Sequence, residues 1–283
     1  MTDLSDFQPD GQYLPTVKLH SVDKLKLHNY YAAIFAGGMS KQWPNLVYMG
    51  LYSGAGAARI EGTNRVVMTS ALSVLTQAVK FTHYVFVDED PKCIDALRVR
   101  TERLQMAERV TLIPKNVNAS LDDLISALPD YRVQGGVLTF CFIDPFRIDL
   151  DFEVVRRLAS LRVDILLMVP LGYDVRRNWR EYVDKASMRD RLSAFLGESR
   201  WIDGWASLSA PYSEFPRFIQ GRLNAAMKAL GFIEVESRDI RDIKVSGKNV
   251  YLYSLHLFSK SQVAIKFWRD SLKGTSEQHS LDI

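Results

Sequence analysis

The sequence predicts an α/β protein: a doubly wound, mostly parallel sheet with a helical insertion and an antiparallel hairpin at its edge. Two observations carry this reading. Short apolar runs alternate with segments of helical spacing through five units before residue 170, the rhythm of strand–helix–strand crossovers. Those runs are continuous rather than alternating in polarity, as in strands covered on both faces.

Residues 1–21, with Pro9, Gly11 and Pro15, lack periodicity and read as an N-terminal arm. A helix is expected from Val22, with Leu25, Tyr30, Tyr31 and Ile34 at apolar spacing, and Gly37 and Gly38 are expected to stop it. Pro44 introduces a strand over 45–52 (NLVYMGLY), which empties into Ser53, Gly54, Ala55 and Gly56. A helix over about 68–78 follows, with Thr69 or Ser70 as its cap, then a strand over 84–87 that ends in Asp88, Glu89 and Asp90. Pro91 suits the first turn of the next helix, whose apolar residues are Ile94, Leu97, Leu104 and Met106. Strands are predicted over 110–113, 137–143 and 165–169, and helices over 121–128 and 154–161. After Pro170 comes a helical excursion over 178–196, then a helix over 218–230 and strands over 232–235 and 250–258, with Gly247 suggesting the edge hairpin. The domain therefore spans 22–274, with an insertion at about 174–216 and a flexible tail over 275–283.

Composition narrows the function classes. Of the 283 residues, 47% are hydrophobic and 24% charged, which excludes disordered and fibrous chains. The net charge of +3 is compatible with an anionic ligand without demanding one. Cys93 and Cys141 make neither a disulfide framework nor a zinc-binding pair. The five histidines show no ligand spacing, and no metal is expected. The opening MTDLSDFQPD is unlike a signal peptide, and the longest apolar run is too short for a bilayer, so a cytoplasmic protein is expected.

In an open parallel sheet, ligands bind beyond the carboxyl ends of the strands. Three such ends carry chemistry here. Gly54 and Gly56 let backbone approach a ligand, although glycine turns are also common as plain structure. Arg59 stands where a dinucleotide fingerprint needs a third small residue, and no Gly-Lys-Ser/Thr follows, so a nucleoside without pyrophosphate fits better than NAD or ATP. Asp88 is placed to accept from ribose hydroxyls, while Asp90 suits the cap of the next helix. Asp144, Pro145 and Phe146 leave a buried strand at the sheet's upper rim. There a carboxylate can orient an amino or hydroxyl nucleophile, or simply cap a turn.

These residues resemble the three-Cys-motif partner proteins, bacterial and phage-associated proteins with a Rossmann-like, class I S-adenosylmethionine-dependent methyltransferase fold. The likeness runs through residues 20–24 (HSVDK), 48–56 (YMGLYSGAG), 85–88 (VFVD) with Asp90 and Pro91, and 142–146 (FIDPF). It continues through 194–197 (AFLG) with Trp201, 251–254 (YLYS) and 264–268 (AIKFW). It implies S-adenosylmethionine as cofactor, held by Tyr52, Ser53, Gly54, Gly56, Asp88, Glu89, Asn116 and Asn118, with Asp144, Pro145 and Phe146 beside the transferred methyl. It also implies a companion protein with three cysteines, resembling radical S-adenosylmethionine enzymes. The chain departs from the pattern at Gly50, where the family has an aspartate, at Asn116 for an acid, and at Arg147 for a glycine. Two readings stay open: methyl transfer to a nitrogen or oxygen nucleophile, or a non-catalytic module of the same fold that binds a partner protein or nucleic acid.

Arg147, Tyr173, Arg176 and Arg177 are candidate substrate contacts. The arginines of 176–191 are interleaved with Trp179 and Tyr182 but interrupted by Glu181, Asp184 and Asp190. The segment therefore suits either a solvated helix face or contact with phosphates and bases.

Overall fold

A computed structural model describes residues 7–132, 135–245 and 250–279. In chain order the elements are β1 (Thr16–Val17), α1 (Ser21–Met39), β2 (Asn45–Leu51), β3 (Ala57–Ile60), β4 (Val66–Met68), α2 (Ser70–Thr76), β5 (His83–Val87) and α3 (Pro91–Arg103). Then come β6 (Val110–Ile113), α4 (Leu121–Ser126), β7 (Val137–Ile143), α5 (Phe152–Ala159), β8 (Val163–Val169) and a single π-helical segment, Leu171–Arg176. The chain ends with α6 (Trp179–Asp184), α7 (Ala186–Leu196), α8 (Trp201–Leu208), α9 (Phe215–Ala229), β9 (Ile240–Lys244), β10 (Tyr251–Phe258) and α10 (Gln262–His279).

The central sheet has seven strands in the order β6-β5-β2-β7-β8-β10-β9. The first five run parallel, and β10 is antiparallel to both β8 and β9. Helices cover both faces, so the predicted doubly wound, mostly parallel architecture is the observed one. The continuous apolar runs explain it: all seven residues of β8 are buried, and alternate residues of β2 enter different cores. Val47, Met49 and Leu51 join an aliphatic core with α5, α7 and α9. Leu46 and Tyr48 join an aromatic core of Tyr31, Phe35, Phe140 and Trp268 under α1 and α10. In such a core, truncating one buried ring to alanine costs about 3–5 kcal/mol.

Several elements differ from expectation. Helix α1 passes through Gly37 and Gly38 to Met39, because Gly38 is where the ring of Phe267 packs: a Cβ there would lie 2.7 Å from it. The expected helix over 178–196 is two, α6 and α7, separated by Lys185 in extended conformation. Residues 232–235 are not a strand; Ile233 N–H bonds Ser259 O at 2.9 Å, and the strand that pairs with β10 is β9. Gly247, the expected hairpin turn, lies outside the described residues. Helix α10 continues past Gly274 to His279, where a flexible tail was expected.

The arm is built into the fold over its described part. Phe7 N–H bonds Val66 O at 2.7 Å, and β1 pairs with β3, which with β4 makes a second, three-stranded sheet. Arg100 on α3, 2% exposed, grips both carboxylate oxygens of Asp10 at 2.8 Å and reaches Ala55 O at 2.6 Å.

Candidate functional site

Strand register brings the three candidate strand ends side by side. Leu51, the last residue of β2, pairs with Val87 of β5 on one side and Ile143 of β7 on the other. Ser53 N–H bonds Val87 O at 3.0 Å and Asp144 N–H bonds Leu51 O at 3.3 Å, so the three loops leave one edge together. This is the carboxyl edge, where an open parallel sheet holds ligands.

The loop after β2 is bent by three residues of positive φ, Tyr52 (62°), Gly54 (64°) and Gly56 (88°). A non-glycine residue in that region is uncommon and marks a constrained turn, of the kind found at binding sites. The space beside Gly54 is open: a Cβ there would meet nothing within 4 Å. Gly56 is different. Its missing Cβ is replaced by Leu97 at 3.0 Å and Leu72 at 3.3 Å, so it serves the packing of α2 and α3 rather than lining the edge.

Asp88 fixes this loop, accepting from Gly54 N–H at 2.8 Å and from Asp90 N–H at 3.0 Å. Burial raises its pKa above the usual carboxylate range, the two amides oppose that rise, and Asp90 and Glu89 add to it. Each oxygen has a further lone pair for a ligand hydroxyl. Asp90 caps α3 through Lys92 N–H at 2.9 Å, as expected. Around the rim, Asn116 donates to Glu89 at 2.8 Å and accepts from Asn118 N–H at 3.0 Å. Asn118 ties the loop before α5, donating to Asp149 O at 2.8 Å and accepting from Asp151 N–H at 2.9 Å.

Among the described residues, two buried polar atoms at this edge, Ser53 Oγ and Asp149 Oδ1, have no hydrogen-bond partner. Such groups cost free energy unless something satisfies them. At Gly50 the reverse holds. A side chain there would meet Phe86 at 3.0 Å and Tyr48 at 3.3 Å, so aromatic rings occupy the place of the carboxylate that the resembling family carries.

Asp144 has a partner that sequence reasoning does not find. Lys24 of α1 binds both its oxygens, at 2.7 and 2.6 Å, with the two side chains 12% and 17% exposed. Lys24 also lies 5.5 Å from the centre of the Tyr253 ring. In the sequence it stands out only as the last residue of the HSVDK likeness, and nothing in a lysine on a helix signals a partner 120 positions away. Beside the pair, Tyr173 packs edge-on against Tyr253 and donates its hydroxyl to Phe146 O. Burial and the nearby Asp144 push the Tyr173 phenol far up, keeping it a donor. Phe146 itself is 82% exposed, the most exposed large apolar side chain among the described residues. Pro145 is buried, and Arg147 turns to Asp149 at 3.7 Å.

The π-helical segment holds this rim from below. Asp174 accepts from Ile148 N–H at 2.7 Å, Asn178 at 3.0 Å and the Tyr182 hydroxyl at 3.1 Å. Gly172 is obligatory, because a Cβ would lie 2.2 Å from Tyr251 O. The same segment carries Tyr173 toward Phe146 and sends Arg176 and Arg177 outward, to a separate cavity. The structure thus gathers the cofactor and methyl-side candidates on one edge, with Gly56 set back into the packing and the two arginines placed apart. Among the described residues no cluster of acidic, histidine and cysteine side chains is arranged to hold a metal ion, and no helix is long and apolar enough to cross a membrane.

No protein-family model and no curated protein matches the chain. Solved structures do. An O-methyltransferase from Bacillus cereus in complex with SAH is similar at 13% identity, over 86% of this chain and 87% of that one, with a TM-score of 0.43. A protein from Legionella pneumophila aligns at 12% identity over 88% and 91% of the two chains, with a TM-score of 0.48. A geranyl diphosphate methyltransferase in complex with SAM aligns at 11% identity over 91% and 94%, with a TM-score of 0.43.

Proposed function

We propose that the protein is an S-adenosylmethionine-dependent methyltransferase acting on a nitrogen or oxygen nucleophile. The observation that carries this reading is the juxtaposition, on one carboxyl edge, of the open turn at Gly54, the loop-fixing Asp88 and the Lys24-bound Asp144. The residues fit the cofactor: space beside Gly54, spare lone pairs on Asp88, and the unpartnered Ser53 Oγ. Tyr52, Ser53, Gly54 and Asp88 would hold it, with Glu89, Asn116 and Asn118 at the adenosine end. When bound, it supplies an electrophilic methyl group.

The chain's own part is alignment, which accounts for most of the acceleration in such a displacement. Lys24 fixes the Asp144 carboxylate by taking one lone pair from each oxygen. The remaining lone pairs accept a hydrogen bond from the entering amine or hydroxyl and, where the acceptor must lose it, its proton. Phe146 and Tyr173 wall one side of that position.

The finer reading is a three-Cys-motif partner protein of bacterial or phage origin, acting in the cytoplasm beside a three-cysteine companion. Its support is the run of matching motifs from residue 20 to residue 268. A second reading, a module that binds without turnover, is favoured by the filled space at Gly50. Titration calorimetry with S-adenosylmethionine tests the proposal. Wild-type protein is expected to bind it, and Asp88→Ala to weaken binding at least about ten-fold, the value of one charged hydrogen-bond pair. Absence of binding at millimolar cofactor overturns the proposal; binding without methyl transfer to any nucleophile selects the second reading.

A further inference from the structure

Outside the carboxyl-edge site, three arginines surround a cavity of about 690 Å³ at the junction of the π-helical segment, α6 and β10. That volume falls within the range of about 300–1,000 Å³ typical of ligand pockets. Arg176, Arg177 and Arg180 line it together with Trp179, Tyr212 and Tyr251. Among the described residues none of the three arginines forms an ion pair, and no carboxylate lines this cavity. The contrast with its neighbour is informative. A second cavity of about 400 Å³, on the far side of Arg176 and Tyr251, is lined by Glu214 and Asp242, and its other arginine, Arg217, is paired with Glu214 at 3.3 Å. Charge is neutralised on one side and left available on the other.

The aromatic residues are equally specific. Trp179 and Tyr212 stack with ring centroids 5.6 Å apart and planes 16° from parallel, and the Arg180 guanidinium lies over Trp179 at 5.5 Å. Tyr212 is 56% exposed, so the stack presents a flat face to solvent. A phosphate alone has no use for such a face. A duplex hides its base faces, whereas a single strand offers phosphates and bases together. We propose that this cavity is a binding site for a single-stranded nucleic acid segment, with the arginines on the phosphodiesters and the Trp179–Tyr212 stack under a base.

The site rests on its own residues and does not need the methyl-transfer reading. The two are nonetheless joined by one short segment: Arg176 and Tyr173 belong to the same π-helical turn, and Tyr173 donates to Phe146 O. A strand held by the arginines would therefore lie next to the rim that carries Asp144.

The test is fluorescence anisotropy with dye-labelled ten-nucleotide DNA and RNA strands, without cofactor, across a salt series. Wild-type protein is expected to bind with a log–log salt slope of about −2, three phosphates at about 0.7 each for a single strand. The variant R176E/R177E/R180E should lose at least about ten-fold in affinity and most of the slope, with its thermal unfolding midpoint unchanged because all three side chains are exposed. Tyr212→Ala should weaken base-bearing strands by about ten-fold, the scale of one stacked base, and leave an abasic strand of equal charge unaffected. Failure of wild-type protein to bind either strand overturns the proposal. So does equal binding of abasic strand or poly-glutamate, which makes the cavity a plain anion or acidic-peptide site. A preference between DNA and RNA identifies the natural strand. Because no cofactor is present, a negative calorimetric result with S-adenosylmethionine leaves this outcome intact, and the reverse holds as well.

Discussion

Two stretches of the same sheet edge handle charge in opposite ways. At β5, β2 and β7, Asp88 is held by two backbone amides and Asp144 by Lys24, all largely withdrawn from water. At the π-helical segment and β10, Arg176, Arg177 and Arg180 point to solvent without an ionic partner among the described residues. The first arrangement fixes groups before a ligand arrives, as chemistry requires, because a carboxylate that must be reoriented costs free energy at the moment of reaction. The second leaves the charges hydrated and mobile until a polyanion replaces their water and counterions, as recognition of a variable strand requires. Position is built in at one end, and attraction at the other.

The largest test of that contrast is at Asp144. Asp144→Asn keeps the shape and an acceptor for Lys24 but loses the charge and the basic site. Methyl transfer should fall about 10²–10⁴-fold, the range for a general base, while affinity for S-adenosylmethionine stays within about two-fold. Single-turnover rates and calorimetry on the same preparation measure both. A parallel loss of rate and cofactor affinity would show that Asp144 shapes the pocket and does not act on the acceptor. Lys24→Gln should give a smaller loss, partly restored in Lys24→Arg, because lysine here positions Asp144.

Arginines themselves sharpen the comparison next. Arg100 is buried and doubly bonded to Asp10, so Arg100→Leu removes the buried cation and leaves Asp10 only the half-exposed Arg103, at 3.4 Å; burial already opposes that carboxylate's charge, and Arg100 holds its pKa below the usual range. Breaking one partner of a buried pair costs about 3–5 kcal/mol, read as a shifted midpoint in urea unfolding. Arg176→Ala, on an exposed side chain, should stay within about 0.5 kcal/mol of wild type. If the two variants unfold alike, the N-terminal arm contributes nothing through Asp10 and the division between structural and available arginines fails.

What the sequence discloses follows the same division. Continuous apolar runs announce the parallel strands, since burial on both faces leaves no polar register to read, and the residues at their ends stand out because strand ends are where such sheets bind. Long-range pairing is not legible. Lys24 and Arg100 look like ordinary solvated helix residues until the fold brings them to Asp144 and Asp10. The short strands β3, β4 and β9 escape notice for a related reason. IRDIK at β9 has the polar composition that edge strands use against self-association, and composition of that kind reads as loop. Residues 232–235 mislead the other way: Phe232 is buried by packing on Phe258, not by a ladder. Spacing alone groups Gly56 with Gly54, and only packing separates the glycine that faces open space from the one that accommodates Leu97.

A third carboxylate gives the smallest and cleanest test. Asp164 of β8 is buried, with a Ser259 hydroxyl as donor and, among the described residues, no cation paired with it, and Tyr31 lies nearby on α1. Burial pushes its pKa up to about 7, with the Ser259 bond opposing. An acid whose pKa is raised on folding contributes its full stability below the unfolded value of about 3.9 and loses it as pH rises through the folded value. Wild-type protein should therefore lose stability from Asp164 between pH 4 and about 7. Asp164→Asn, which still accepts from Ser259, should not. The variant's advantage in urea unfolding should be near zero at about pH 4 and reach roughly 1–3 kcal/mol at about pH 8, since each pH unit between the two values is worth at most about 1.4 kcal/mol. The same substitution at Asp144 should give no advantage, because it leaves the largely buried Lys24 without its carboxylate. An advantage at both positions, or at neither, would mean that the cation at Asp144 and its absence at Asp164 make no energetic difference.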